Sequence, residues 1–255
     1  MTLLAPHSAD FEIPCYSRID NEWFCQQYFE DRGGDLVDAT VQHIQITVAA
    51  IVLGVLIAFP LALIARRWSR LETPLLAVST GIYTIPSLAL FPLLVPFTGL
   101  SRTTVVIGLA LYALTILVRA ILAGLRAVPD DVREAAVGLG YGPARLLFRV
   151  ELPLALPVIM AGLRVATVST VALTTVGSLV AYGGLGNLIK DGVTNNFRAE
   201  LAAAAILCVV LAVLLDVLLV VAQWLLTPWT HRGTSRPRTR SRVDDRVDDE
   251  VGAPA

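Results

Sequence analysis

The chain has 255 residues, 55% of them hydrophobic and only 16% charged, with a mean hydropathy of +0.68. A soluble domain carries about 25% charged residues, so the composition excludes an ordinary water-soluble enzyme and predicts an all-α polytopic membrane protein. The net charge of −1 lacks the basic footprint of a nucleic-acid binder, so the expected surroundings are the lipid bilayer and protein partners, with no nucleic acid.

Residues 1–43 form an acidic N-terminal arm. No basic start leads into an apolar run there, so no cleaved signal peptide is expected. The arm holds Cys15 and Cys25, a candidate disulfide if the arm lies in an oxidising exterior. Two unpaired thiols are the alternative.

Five apolar spans follow, at 44–65, 74–97, 103–124, 154–181 and 202–226. Each is near the roughly 20 residues that a helix needs to cross a bilayer, and the fourth is long enough to tilt. Span two contains Tyr83-Thr84-Ile85-Pro86-Ser87, then Pro92 and Pro96. Proline removes a helical hydrogen bond and kinks the chain. Tyr83, Thr84 and Ser87 therefore mark either a gate or a helix bent to fit its neighbours.

The loop at 125–153 is too elaborate for a simple connection. Val128-Pro129 ends the preceding helix, and Asp131 to Glu134 matches a capping box with Asp131 as N-cap. A short helix follows through Ala135, Ala136 and Val137. Gly138, Gly140 and Gly142 then stop it, and Pro143 suits the first turn of a second helix. In ARLLFRVEL, Leu146, Leu147 and Val150 fall on one side and Arg145 and Arg149 on another. The result is a helical hairpin outside the membrane. It is either an element that seats in a groove of a soluble partner or a plain amphipathic hairpin with Glu134 as a cap.

Span four repeats Gly162, Ala166, Thr170, Thr174 and Ser178 at every fourth position. Such a face is a packing ridge or, through Thr170, Thr174 and Ser178, a wall that meets a solute. Arg164 in this span and Asp216 in span five lie at similar depth at 1.5 Å per residue. Ionisable groups there are costly, so the two are expected to pair; the alternative has Arg164 snorkelling and Asp216 facing a wet cavity. Arg119 is expected to snorkel. Asn187, Lys190, Asp191, Asn195 and Asn196 make a polar loop before span five. Cys208 reads as a small core residue, and the cysteine spacing suggests no metal site. The tail at 231–255 is arginine-rich, then acidic, and too poor in apolar residues to fold.

Thirteen arginines lie after span one, between spans three and four, and after span five, against five Lys or Arg on the opposite side. The positive-inside rule then puts the N-terminus outside and the tail in the cytoplasm.

The stretch EAAVGLGYGPARLLFRVELPLALP at 134–157 resembles the cytoplasmic coupling loop of binding-protein-dependent ABC importer permeases. VQHIQITV at 41–48, FPLALIARR at 59–67, VELPLALPVIMAGLR at 150–164 and YGGLGNLI at 182–189 narrow the resemblance to osmoprotectant permeases for glycine betaine, carnitine and choline. It covers roughly residues 20–230, and Tyr182 departs from the small residue expected before the glycine run. The resemblance implies a type I importer permease fold in the cell membrane. It places Glu134, Ala135, Ala136 and Gly140, with Leu152 and Pro153 completing the motif, at an ABC ATPase subunit. It also implies a second permease protomer and an extracytoplasmic solute-binding protein. The chain has no GxxxxGK[ST] loop, so ATP belongs to the partner, and the chain itself carries no cofactor and no enzymatic step. A quaternary ammonium cargo can use Tyr83 as a cation–π face. An amino acid or another small polar solute is the alternative cargo, and a passive channel or scaffold is the alternative class.

Overall fold

The computed structural model describes residues 15–17 and 20–229. The expected disordered tail at 231–255, Arg18 and the first 14 residues of the arm lie outside the described residues. Among the described residues, four helices are long and apolar enough to cross a membrane, or five if one sharply bent pair counts as a span.

Helix α1 spans Gln26–Arg67, 42 residues, about 63 Å at 1.5 Å per residue. That is twice the ~30 Å of a bilayer core, so the helix starts well before the apolar run and the boundary expected at residue 43 falls inside it. Arg32, just before Gly33 and Gly34, departs from helical geometry (φ −115°, ψ 15°). Tyr28, Leu36 and His43 are buried along this extension.

The expected second span is two helices, α2 (Ser69–Thr84) and α3 (Ser87–Thr98), bent by 100°. Pro86 restricts the residue before it to extended backbone, and Ile85 sits at φ −65°, ψ 126°. The groups around the break find partners on α4 (Arg102–Arg126): the Tyr112 hydroxyl donates to the Ile85 carbonyl, and Thr115 donates to that of Ser79 at 2.6 Å. Pro92 and Pro96 lie within α3 without breaking it.

Helix α4 is the centre of the bundle. Ser101 caps it by accepting from the Thr104 amide at 3.3 Å. Its buried residues, including Ala113, Leu117, Val118, Ile121 and Leu125, meet Ala58, Ala62 and Ala65 of α1 and Ala155 farther on. Gly162 faces Ala120 so closely that an added Cβ would collide with the Ala120 methyl.

The chain then forms α5 (Asp130–Gly138), α6 (Pro143–Leu146), a π-helical turn (Leu147–Glu151) and α7 (Leu152–Thr174). The 3₁₀ turn Thr175–Val180, α8 (Leu185–Thr194) and α9 (Arg198–Leu226) complete it. Gly184 (φ +55°) passes so close to His43 that a Cβ would come within 2.7–2.8 Å of its Cα, Cβ and amide nitrogen.

At the arm end, Cys15 is bonded to Cys25. The Tyr16 and Tyr28 rings pack on Phe197. Asn21 donates to the Asn196 carbonyl at 2.7 Å and accepts from the Arg198 amide at 3.0 Å. The Tyr16 hydroxyl donates to Asp31 at 2.7 Å, and that bond raises the phenol above its ordinary pKa.

Candidate coupling site

Helix α5 stands at the opposite end of the bundle from the arm. It begins two residues earlier than the capping-box pattern predicts: Pro129 is the N-cap, and no side-chain cap bond forms. Proline has no amide to donate and a fixed φ suited to this position. Asp130 and Asp131 instead place negative charge in the first turn, where the helix dipole favours it.

One glycine, rather than three, terminates α5. Gly140 adopts φ +80°, its amide reaches the Val137 carbonyl at 2.9 Å, and the Tyr141 amide reaches that of Ala136 at 3.1 Å. This is a Schellman motif with glycine in the left-handed position. Nothing lies within 4 Å of where a Gly140 Cβ would stand, so the requirement is one of backbone conformation. Gly138 is the last residue of α5, and Gly142 is the N-cap of α6.

Glu134 and Ala135 are exposed, while Ala136 turns inward and is buried. A groove of about 360 Å³ runs beside them, lined by Asp131, Val132, Ala135, Leu139, Tyr141 and Val150 among others. Leu139 is 78% exposed, and Val137 and Phe148 also face outward. Arg145 lies over the Tyr141 ring at 4.4 Å, which fixes the far side of the hairpin. Four of the six expected coupling residues thus cluster on α5 and its turn. Leu152 and Pro153 sit at the start of α7, half-buried. The second arm of the hairpin is not a separate helix, because the π turn joins α6 continuously to α7.

The residue that holds this end together escaped the sequence reading. Glu151 is 1% exposed. Its carboxylate accepts both Nη groups of Arg66, Nη1 at 2.5 Å, and Nε of Arg133 at 3.0 Å. Arg133 also donates to Asp130 and to the Leu125 carbonyl, both at 2.5 Å. One buried carboxylate therefore joins the last turn of α1, helix α5 and the start of α7, and Arg133 reaches the end of α4. The sequence signal was a lone acid in VELPLALP; its partners read only as topology charges.

In mid-bundle, Arg164 donates to Asp216 twice, Nε to Oδ1 and Nη2 to Oδ2, each at 2.8 Å. Their side chains are 34% and 31% exposed, so Arg164 is engaged rather than extended to an interface. Arg119 likewise is not free, since it donates to Thr80 at 2.7 Å.

The residues expected along a solute path separate into two groups. Thr170, Thr174 and Ser178 are buried within the protomer. The threonine hydroxyls donate to carbonyls one turn back, at 2.7 and 2.8 Å, and Thr174 meets Thr47 at 3.2 Å. In the protomer these three therefore lie along the packing ridge: small residues bring the helices close, and the two threonine hydroxyls are engaged inside that contact. Tyr83 and Thr84 are exposed and Ser87 half-exposed, and the Tyr83 and Tyr112 rings form a T-shaped pair with centroids 5.6 Å apart.

The solved MetNI methionine ABC transporter, in inward-facing conformations, shares this fold with a TM-score of 0.71 at 21% identity, covering 78% of this chain and 99% of that one. The choline transport system permease protein OpuBB of Bacillus subtilis is 34% identical over 203 residues, 79% of this chain and 93% of the relative. The osmoprotectant import permease protein OsmW of Salmonella typhimurium is 35% identical over 206 residues, 79% and 96% respectively. The family described as the binding-protein-dependent transport system inner membrane component matches residues 49–232. The chain therefore belongs to that family and is a multi-pass membrane permease subunit of an ABC importer, not itself an enzyme.

Proposed function

We propose that the chain imports a compatible solute of the quaternary ammonium class, such as choline, glycine betaine or carnitine. The observation that carries this reading is the cargo of its relatives: OpuBB is named for choline and OsmW for osmoprotectants, and OpuCB of Listeria monocytogenes, 32% identical over 202 residues, for carnitine. The exposed Tyr83 ring, in a T-shaped pair with Tyr112, suits a quaternary ammonium group, which has no N–H donors.

In this reading the exposed Glu134–Ala135 face, the adjoining groove and the Gly140 turn seat an ATPase subunit, which holds the ATP; this chain needs no cofactor. Two permease protomers, alike or homologous, enclose the pore, and a binding protein delivers solute to the arm end. The excess of arginine on the hairpin side supports a cytoplasmic hairpin and tail and an external N-terminal arm. The functional division is then an arm at 1–43, a permease domain at 44–230 with its coupling loop at 125–153, and a tail at 231–255. Nucleotide binding biases the pore between inward and outward access, a two-state population shift.

Uptake of radiolabelled choline, glycine betaine, carnitine, methionine and histidine by cells with and without the chain tests the cargo. Accumulation of one or more of the first three, dependent on the chain, is expected. Uptake of methionine or histidine alone would overturn the assignment.

A further inference from the structure

Helix α5 has almost no apolar attachment to the bundle. Ala136 is its one buried residue, while Val137 and Leu139 face outward. A push delivered to such a helix would be lost unless something stiff carried it onward. Its backbone links are the short turn from α4 and the glycine turn into α6, and Gly140 and Gly142 have open space around them. The firm side-chain link is Arg133, which reaches the α4 carbonyl of Leu125 and, through Glu151, Arg66 of α1.

The geometry of that link favours transmission. Charge-assisted hydrogen bonds to a carboxylate are short and directional, and a bidentate arginine fixes orientation as well as distance. Glu151 is buried, so water cannot readily substitute for either arginine, and a buried carboxylate stripped of its partners is strongly disfavoured. Glu151 ends a π-helical turn in which Phe148 and Arg149 face out. Turns of this kind widen the helix locally and recur at functional positions.

We infer that the Arg66–Glu151–Arg133 lock is the strut through which motion of α5 reaches α1, α4 and α7, making Glu151 a positioning residue for coupling. It touches neither solute nor nucleotide. The inference rests on the proposed docking of the ATPase at α5.

The test uses the full chain with its partner subunits in membranes, with Cys208 replaced by serine and Leu100→Cys introduced in the exposed turn between α3 and α4. Three quantities are measured for the otherwise unchanged chain and for Glu151→Gln: recovery of the ATPase, ATP hydrolysis, and the change in maleimide labelling at position 100 on adding ATP and vanadate. Glu151→Gln keeps the side-chain shape, and Arg133 keeps Asp130 and Leu125. The expected result is unchanged ATPase recovery, hydrolysis within about twofold, and a labelling response reduced by about tenfold, in the range of ordinary coupling energies. A labelling response equal to that of the unchanged chain overturns the strut. If Glu151→Gln does not assemble, Arg66→Gln is read by the same criterion, since it leaves the Glu151–Arg133 bond in place. Failure of the unchanged chain to recover any ATPase would instead overturn the docking reading on which the strut depends.

Discussion

The two ends of the bundle face the same difficulty and meet it differently. Each carries an excursion beyond the apolar spans that has to be held against the bundle. At the arm end the solution is covalent and aromatic: the Cys15–Cys25 bond, rings on Phe197 and two Asn21 hydrogen bonds. At the hairpin end it is a single buried carboxylate between two arginines. Ring packing tolerates small displacements, whereas charged hydrogen bonds lose strength steeply with distance and angle. The arm end is built as a fixed cap and the hairpin end as a joint whose geometry matters.

Glu151→Ala is the harshest way to break this contrast. It leaves Arg66 and Arg133 facing an apolar gap, and the loss of a buried partner costs about 3 kcal/mol, the low end for such pairs because both arginines retain some water. Thermal unfolding of the purified chain in detergent should show a clear loss of stability; an unchanged transition would mean that the lock holds nothing. Gly140→Val comes next, since forcing a branched residue into the left-handed region costs roughly 1–2 kcal/mol. ATPase recovery should fall while the arm disulfide stays formed.

Smaller effects sharpen the comparison midway between the ends. Asp216→Asn should reduce the yield of folded chain by stranding Arg164, and adding Arg164→Gln should restore part of it. Yields that fall additively in the double variant would show that the pair is not a unit. The smallest effect on assembly is expected at the arm. Cys15→Ser should leave ATPase recovery unchanged while limited proteolysis cuts faster between residues 15 and 25. A loss of recovery as large as that of Gly140→Val would erase the distinction between cap and joint.

Much of the fold was legible because lipid-length apolar runs are hard to hide. The expected spans at 103–124 and 202–226 lie within helices Arg102–Arg126 and Arg198–Leu226. The long extension of α1 was not legible, since hydropathy reports contact with lipid rather than helicity. Residues 26–43 are helical, and their buried Tyr28 and Leu36 pack with Ala199 and Ala203 far along the chain. Pro86 announced a kink, but a 100° bend needs Tyr112 and Thr115 of α4 to satisfy the opened turn, and sequence spacing does not pair them. Within the site, Gly140 stood out through its motif, and the Arg164–Asp216 contact through the oddity of charges in apolar runs. Glu151 did not, because its partners lie 85 and 18 residues away and each looked like a surface charge.

The most direct test of the docking account is recovery of an ATPase subunit from gently solubilised membranes by the tagged chain, compared with Gly140→Asp. The account predicts recovery with the unaltered chain and its loss in the variant, whose aspartate would sit in a left-handed turn beside the docking groove. Equal recovery by both, or none by the unaltered chain, would contradict it.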